Sequence, residues 1–208
     1  SKEIILNAKQ VQRMDSSSVF KTPVPIEIIT ETGRQSITME TSADVKTYNI
    51  KVDSKPLNVN FNKGNKVLCK LYFSKPKNDW LYQFNNSPDA IDRLTALNGL
   101  KDFINDDDIV NAIKDKMRND SFWGMRCEAV KVLSTSKNKA VTEVYMKNMI
   151  DERDSRVRRT YLLQLGTLLN NHPDEKENTA VLQYFLTNLI ANETSYYSAA
   201  DAVTALSD

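Results

Sequence analysis

The 208-residue sequence has few of the residues that most catalytic chemistry requires. It contains two Cys and one His, so these residues cannot supply the four ligands of a Cys/His zinc cage. Any Ser/His or Cys/His mechanism would have to use His172, which lies in the polar stretch 170–174 with no second His to share a metal. We expect His172 to be an exposed loop residue. We predict no catalytic, cofactor-binding or metal-binding residue in this chain.

Other scarcities exclude further classes of protein. Five Gly and six Pro exclude a collagenous or low-complexity chain. No apolar run approaches the roughly 20 residues that a membrane-spanning helix requires. Lys and Arg total 28 against 27 Asp and Glu, a net charge of +1, so the chain has no overall field that would attract nucleic acid or an anionic membrane. We therefore predict neither as a partner.

The two Cys have no pattern typical of redox or metal chemistry. Cys69 is expected on a strand and Cys127 on a helix, each as a small buried hydrophobic residue, and burial would raise the pKa of both thiols. One Cys in each of two domains gives no disulfide framework, which leaves the redox compartment and the localisation open.

Charge and hydrophobic period both change near residue 80. Residues 1–85 carry 13 Lys and Arg against 8 Asp and Glu, whereas residues 86–208 carry 15 against 19. Such a break in composition marks a candidate domain boundary. We predict a first domain at 1–76, a junction at 77–86 and a second domain at 87–208.

Before the break the apolar residues alternate with polar ones, as in half-buried strands. The alternating runs are Val24, Ile26 and Ile28; Tyr48, Ile50 and Val52; Leu57, Val59 and Phe61; and Val67, Cys69, Leu71 and Phe73. Gly33 and Gly64 lie between such runs, where a hairpin turn needs a residue that accepts positive φ. With a first strand near residues 4–11, the pattern predicts a small antiparallel β-sandwich of six or seven strands.

Beyond the break the apolar spacing becomes helical. Ser87-Pro88-Asp89 predicts a helix start, with Ser as N-cap and Pro at the first helical position, and Asn98-Gly99 predicts its end. Further apolar stripes predict helices around residues 109–117, 122–133, 141–149, 157–168, 181–189 and 195–206. Short polar turns join them, so the second domain is expected to be all-α.

Three of these helices resemble one another. Residues 125–130 align with 157–162 after a shift of 32, and with 198–203 after a further shift of 41. Another helix precedes each copy, so the repeating unit is a helix pair, as in a HEAT-like α-solenoid. Arg126 and Arg158 occupy matching positions, where we expect them to stabilise successive inter-helix turns. Ala199 stands at that position in the third copy, as in an atypical terminal repeat.

Three clusters have both a structural and a functional interpretation. The Asp run 106–108 is expected to form the acidic first turn of a helix, because consecutive helical side chains diverge by about 100° and cannot converge on one metal ion. The Arg cluster 153–159 is interleaved with acidic residues and has no aromatic ladder for base stacking, which favours an ion-paired loop over a phosphate site. The aromatic cluster 80–84 is expected to be a buried interface rather than an exposed docking patch.

Four phrases of the sequence are comparable with a known protein family. Residues 120–133 read Asp-Ser-Phe-Trp-Gly-Met-Arg-Cys-Glu-Ala-Val-Lys-Val-Leu, and residues 154–158 read Asp-Ser-Arg-Val-Arg. The first is similar to the D-x-F-W-G-V-R-x-E-A helix found in bacterial members of the aminopeptidase N family of zinc peptidases, and the second resembles the HEAT-type phrase that follows it there. Residues 20–28 and 89–97 resemble the opening of that family's β-sandwich and its next helix. The resemblance makes Trp123, Arg126, Asp154 and Arg158 structural repeat positions.

The resemblance implies a function without chemistry in this chain. The family's H-E-x-x-H helix, its distal Glu ligand and its G-x-M-E-N strand have no counterpart here, so no catalytic residue is carried over. The expected function is that of a C-terminal, non-catalytic part that shapes substrate access and domain packing. The upstream domain would hold the zinc and remove N-terminal residues from peptides. The implied partners are that upstream catalytic domain and the peptide substrate.

The expected fold class is α+β in separate domains, an N-terminal antiparallel β-sandwich followed by an all-α HEAT-like helical-repeat solenoid. The alternative function is a HEAT-repeat protein-interaction scaffold, which includes catalytically inactive relatives of these peptidases. A concave solenoid face would suit either role. In both cases we expect no enzymatic activity from this chain alone.

Overall fold

The computed structural model describes residues 2–11, 20–42, 45–172, 187, 191 and 195–207. The chain divides into two compact units, Ser1–Gly99 and Leu100–Asp208. Within the described residues, no helix is both long enough and apolar enough to cross a membrane. Whether the predicted junction at 77–86 separates two domains that fold independently stays a prediction.

Five strands lie within the described residues of the first unit. They are β1 (Lys2–Ala8), β2 (Pro23–Thr30), β3 (Gly33–Glu40), β4 (Lys46–Val52) and β5 (Pro56–Phe61). β1 pairs antiparallel with β4 in one sheet, and β2 lies between β3 and β5 in a second antiparallel sheet. Because strand side chains alternate between faces, both sheets contribute apolar residues to one buried cluster. Its members are Leu6, Ala8, Ile26, Ile28, Met39, Ile50, Val52 and Val59.

The predicted β-sandwich of six or seven strands is wrong. The described residues form two small sheets, of two and three strands, that do not close into a sandwich. Part of the error lies in the alternating run 67–73, which forms no β-ladder with any described strand and leaves Leu68 98% exposed. The alternation of apolar and polar residues predicts which side chains are half-buried, but it does not show whether a partner strand is present to pair with the backbone.

Two helices belong to the same unit as the strands. α1 (Lys77–Asn86) packs against β5, and α2 (Ala90–Leu100) follows after a short turn. Trp80 and Phe84 in α1 are buried, which confirms the expected burial for these two members of the aromatic cluster, whereas Leu81 and Tyr82 are partly exposed. The predicted helix start at Ser87-Pro88-Asp89 is confirmed to within three residues, although Ser87 caps the end of α1 rather than the start of α2.

Gly99 does not end its helix as predicted. It lies inside α2, and a Cβ at this position would overlap ring carbons of Trp80. Gly99 is therefore required for close packing of α2 against that ring. Gly33 does not adopt the positive φ that a turn was expected to need. Among the described glycines, only Gly64 has a positive φ.

The second unit contains five described helices. They are α3 (Asp107–Asn119), α4 (Trp123–Leu133), α5 (Val141–Asp151), α6 (Ser155–Asn171) and α7 (Tyr196–Ser207). These bounds confirm the predicted helices in the same order, except that the one at 181–189 lies almost entirely outside the described residues. α4 packs against α3 and α6, and α6 also packs against α5 and α7. Their apolar stripes supply the core, which includes Ile113, Met117, Val130, Tyr145 and Leu165.

The predicted order of a β-sandwich followed by a helical solenoid is also wrong. α1 and all but the last residue of α2 belong to the unit that contains the sheets, so the helical residues do not form a separate domain that follows a β domain. The described chain is a mixed α+β structure. Amphipathic spacing predicts which face of a helix is buried, but not the element against which it packs.

Candidate functional site

Arg126 and Arg158, the predicted repeat positions, are each the fourth residue of their helix. The Nη1 group of Arg126 donates a hydrogen bond to the main-chain carbonyl of Asp120 at 2.9 Å. The Nη1 group of Arg158 donates to the carbonyls of Glu152 and Arg153 at 3.0 and 2.8 Å. Each guanidinium thus satisfies main-chain oxygen atoms at the turn before its own helix. This geometry is the basis for a turn-stabilising role of both residues.

Arg93 makes the same contact and was missed from the sequence. It is the fourth residue of α2, and its Nη1 group donates to the carbonyls of Ser87 and Pro88 at 3.0 and 2.7 Å. Arg93 precedes Arg126 by 33 residues, close to the spacing of 32 between Arg126 and Arg158. A search for this interval upstream of Arg126 would have found it.

Glu152 connects Arg126 in α4 to the turn between α5 and α6. The Nε and Nη2 groups of Arg126 lie 3.1 and 3.3 Å from the two carboxylate oxygens of Glu152. Glu152 Oε1 also accepts a hydrogen bond from the main-chain N–H of Asp154 at 2.8 Å. The side chains of this pair are only 15% and 10% exposed. Their attraction is therefore screened less by water than that of an exposed pair.

Asp154, also predicted as a repeat position, is the N-cap of α6. Its carboxylate accepts from the main-chain N–H of Arg156 at 3.0 Å, and the Arg156 side chain donates to both carboxylate oxygens. This hydrogen-bonded guanidinium lowers the pKa of the Asp154 carboxyl to about 2. Asp120 makes the matching main-chain contact before α4, where it accepts from the N–H of Phe122 at 3.0 Å.

Trp123, the remaining predicted position, stacks with an arginine. The Arg156 guanidinium lies 4.0 Å from the centroid of the Trp123 ring, and the Arg159 guanidinium lies 5.5 Å from that of Tyr197. The sequence did not show these aromatic neighbours of the Arg cluster, because the rings come from the starts of α4 and α7, which are distant in sequence. We call this surface the Arg–aromatic edge. It comprises Phe122, Trp123, Arg156, Arg159, Tyr196 and Tyr197.

A buried amine in the first unit was also missed from the sequence. Lys75 Nζ donates to Asn58 Oδ1, the carbonyl of Val59 and Gln83 Oε1, at 2.6, 3.2 and 2.5 Å. It also lies 4.1 Å from the centroid of the Trp80 ring. Because burial penalises the ammonium form more than the nearby carboxylates of Asp79 and Asp92 favour it, the pKa of Lys75 falls to about 7. We call these four neighbouring groups the Lys75 cage.

The polar face of β5 is buried rather than exposed to solvent. Asn58 and Asn60 are 1% and 3% exposed. Asn60 Nδ2 donates to the buried carboxylate of Asp92 in α2, and Lys63 Nζ donates to the same oxygen. Gln83 Nε2 donates to the main-chain carbonyl of Asp92. These hydrogen bonds connect β5 with α1 and α2, and the Lys75 cage lies in the same network.

His172 does not have the exposed position that we expected. It is 5% exposed and follows α6 as its C-cap. Its Nε2 atom lies 2.9 Å from the main-chain carbonyl of Ser136. Since a carbonyl only accepts, Nε2 is the protonated nitrogen. The flanking polar residues and Pro173 suggested an open loop, but this hydrogen bond holds the ring inside the helical unit.

The two Cys differ in their surroundings. Cys127 is buried as expected, and burial raises the pKa of its thiol. Cys69 is exposed, so its expected burial is wrong, because the strand on which that expectation relied does not form. The Asp run 106–108 provides the N-cap and the first two residues of α3, which confirms an acidic first turn.

Zinc does not fit the side chains that the structure describes. Among them, no group of three or more His, Cys, Asp or Glu residues is placed to hold a metal ion. Asp89 and Asp92 come close to one point, but Lys63 Nζ lies there, 2.6 Å from an oxygen of each. A cationic side chain thus already occupies the position between the two carboxylates.

Comparisons with known proteins identify no family. No family model matches the chain. No curated protein matches it at a significant level.

Proposed function

We propose that this chain is a non-catalytic C-terminal part of an aminopeptidase N-like zinc metallopeptidase. In this proposal an upstream domain holds the zinc and removes N-terminal residues from peptides. This chain packs against that domain and limits the access of substrates to its cleft. The observation that carries the proposal is the segment 120–133, in which the residues that give the resemblance have defined structural roles.

Each distinctive residue of that segment makes a contact that depends on its own chemistry or size. Asp120 caps the turn before α4, and Arg126 binds the Asp120 carbonyl together with Glu152. A Cβ on Gly124 would lie 2.6 Å from the ring of Phe122, so glycine leaves room for that ring. Trp123 packs on a guanidinium of α6. These requirements give the phrase a physical reason to recur in proteins that share this helix arrangement.

The proposal is tested first on the gene. The coding sequence upstream of Ser1 should encode an H-E-x-x-H helix with a distal Glu, as in active members of the resembled family. A degenerate or missing motif would support the alternative function, and an unrelated upstream domain would overturn the peptidase proposal.

A second test uses the purified 208-residue chain. Incubated with zinc and aminoacyl p-nitroanilides, it should release no nitroaniline above the blank. The separately expressed upstream domain should release it and should bind this chain in a pull-down assay. Catalysis by the 208-residue chain would contradict its assignment as non-catalytic.

The alternative, a protein-interaction scaffold, which includes inactive relatives of these peptidases, is favoured by one feature. The Arg–aromatic edge places Tyr196 and Tyr197, 83% and 66% exposed, beside charged side chains. Exposed aromatic and Arg side chains are typical of protein-binding surfaces. An intact catalytic motif upstream would decide against this alternative.

A further inference from the structure

The Arg–aromatic edge supports an inference that holds whether or not an upstream domain is active. We propose that this edge binds an extended acidic segment of a partner protein. Carboxylates two residues apart in that segment would pair with Arg156 and Arg159, and an apolar or aromatic side chain of the segment would pack on Trp123 or Tyr197.

The aromatic part of the edge comes from two separate helices. Phe122 and Trp123, 38% and 37% exposed, lie at the start of α4, with their ring centroids 5.7 Å apart. Tyr196 and Tyr197 lie at the start of α7, with centroids 6.0 Å apart. Arg156 contacts Trp123 of the first pair, and Arg159 contacts Tyr197 of the second. Each guanidinium group therefore has an aromatic ring beside it.

The exposed charge of the edge is positive although each Arg has an acidic partner. The Arg156 side chain is 55% exposed and that of Asp154 is 20% exposed. The Arg159 side chain is 48% exposed and that of Asp201 is 14% exposed. The carboxylates thus lie beneath the guanidinium groups, and solvent meets mainly the cations. Arg153 and Asp151, which lie nearby in the sequence, are also exposed and carry opposite charges.

Both guanidinium groups retain N–H donors for a ligand. Arg156 uses Nε and Nη2 on Asp154, and Arg159 uses Nε on Asp201. Among the described residues, no acceptor engages Nη1 of Arg156 or either Nη group of Arg159. An added carboxylate could therefore bind each Arg without displacing its present partner.

The spacing of the two Arg suits an extended peptide. Residues three apart on a helix have Cβ atoms roughly 5–6 Å apart. Alternate residues of an extended chain are about 6.6 Å apart and lie on one side. A nucleic acid carries a negative charge on every nucleotide and requires an extended positive field. A net charge of +1 does not provide such a field. Charge complementarity therefore favours an acidic peptide over nucleic acid.

The test is fluorescence anisotropy with the complete 208-residue chain at about 50 mM salt. The probe is a fluorescein-labelled decapeptide in which Glu alternates with Ser and Phe, and its matched control replaces every Glu with Gln. The Glu peptide should bind at least ten-fold more tightly than the Gln peptide. The double variant Arg156→Gln, Arg159→Gln should weaken binding of the Glu peptide about ten-fold, and Tyr197→Ala should also weaken it.

A matched control variant keeps the experiment falsifiable. Arg118 is an exposed Arg at the end of α3, outside the edge, so Arg118→Gln should leave the affinity unchanged. Circular dichroism melts establish that each variant is folded. Equal binding of the Glu and Gln peptides, or equal losses from the Arg118 and edge variants, would overturn the proposal.

Two other occupants would also overturn it. Tighter binding of a fluorescein-labelled (dT)12 than of the Glu peptide would indicate a nucleic-acid site. Self-association in sedimentation velocity that the double variant abolishes would indicate that a second copy of the chain occupies the edge.

Discussion

Arg126 and Glu152 form a nearly buried ion pair that joins the start of α4 to the turn before α6. Two hydrogen bonds, of 3.1 and 3.3 Å, connect the guanidinium to both carboxylate oxygens. Because the same guanidinium also binds the carbonyl of Asp120, one side chain connects the turn before α4 with the turn before α6. Loss of either partner would leave the other charged in a site that water scarcely reaches.

Arg126→Met is expected to destabilise the helical unit by about 3 kcal/mol, because it leaves Glu152 without its cation. The free energy of unfolding from urea denaturation measures the change. Lys131→Met is the control: its pair with Glu128 is 48% and 41% exposed, so the loss should stay within about 0.5 kcal/mol. Similar losses from both substitutions would show that the Arg126 pair is not a special contact.

The Lys75 cage predicts a pH-dependent stability of the first unit. The pKa of Lys75 is about 7 in the folded chain, against the ordinary lysine value of 10.5 that applies once the chain unfolds. Between these values the folded state binds fewer protons, so the free energy of unfolding should rise with pH, by up to about 1.4 kcal/mol per pH unit. Urea denaturation at pH 7, 8 and 9, followed by Trp fluorescence, measures this slope.

Lys75→Met should reduce that slope, since it removes the titrating amine. Lys70→Met is the matched control, because Lys70 is exposed and its substitution should leave the slope as in the unchanged chain. A slope that persists in the Lys75 variant would show that other groups cause the pH dependence.

Two glycines in helices are expected to respond oppositely to alanine. Gly99→Ala places a Cβ against the Trp80 ring with no room for it, and we expect a loss of about 1–3 kcal/mol from overpacking. Gly166 lies in α6 with no atom within 4 Å of such a Cβ, so Gly166→Ala should stabilise the chain by about 0.5–1 kcal/mol through helix propensity. Thermal unfolding measures whether each substitution raises or lowers the melting temperature. A higher melting temperature for Gly99→Ala would contradict the packing of Trp80 against Gly99.

The two thiols are expected to react at different rates. Cys69 is exposed and should react with Ellman's reagent within seconds to minutes at pH 8, whereas Cys127 is buried with a raised thiol pKa. One thiol should therefore titrate in the native chain and two in denaturant. Cys69→Ser should abolish the fast reaction, and fast loss of both thiols from the native chain would contradict the burial of Cys127.

The helices of the second unit could be predicted because each has an amphipathic stripe that shows through its own sequence. Asp106 and Asp154 also mark the starts of α3 and α6, since capping depends on local residues. Four of the five strands lie on predicted runs, whereas β3 was in none of these runs and the run 67–73 forms no strand. Strand pairing could not be predicted, because a β-ladder depends on a partner distant in sequence.

The candidate sites were harder to predict because they depend on tertiary contacts. Trp123 and Arg156 are 33 residues apart, and only the packing of α4 against α6 brings the ring to the guanidinium. Lys75 carries no motif; its low pKa arises because burial penalises the ammonium form more than the nearby Asp79 and Asp92 favour it. Arg93, by contrast, had a sequence signal, since its interval to Arg126 nearly repeats that between Arg126 and Arg158.

β5 has an apolar face in the shared cluster and an asparagine face against the helices, so both faces of this strand are buried. Removing or adding one residue between Leu57 and Asn60 would exchange the two faces of the strand after the change. Asparagine side chains would then lie in the apolar cluster, and valine would lie in the hydrogen-bonded network. A single substitution there would disturb one face only. The strand should therefore tolerate substitutions far better than insertions or deletions.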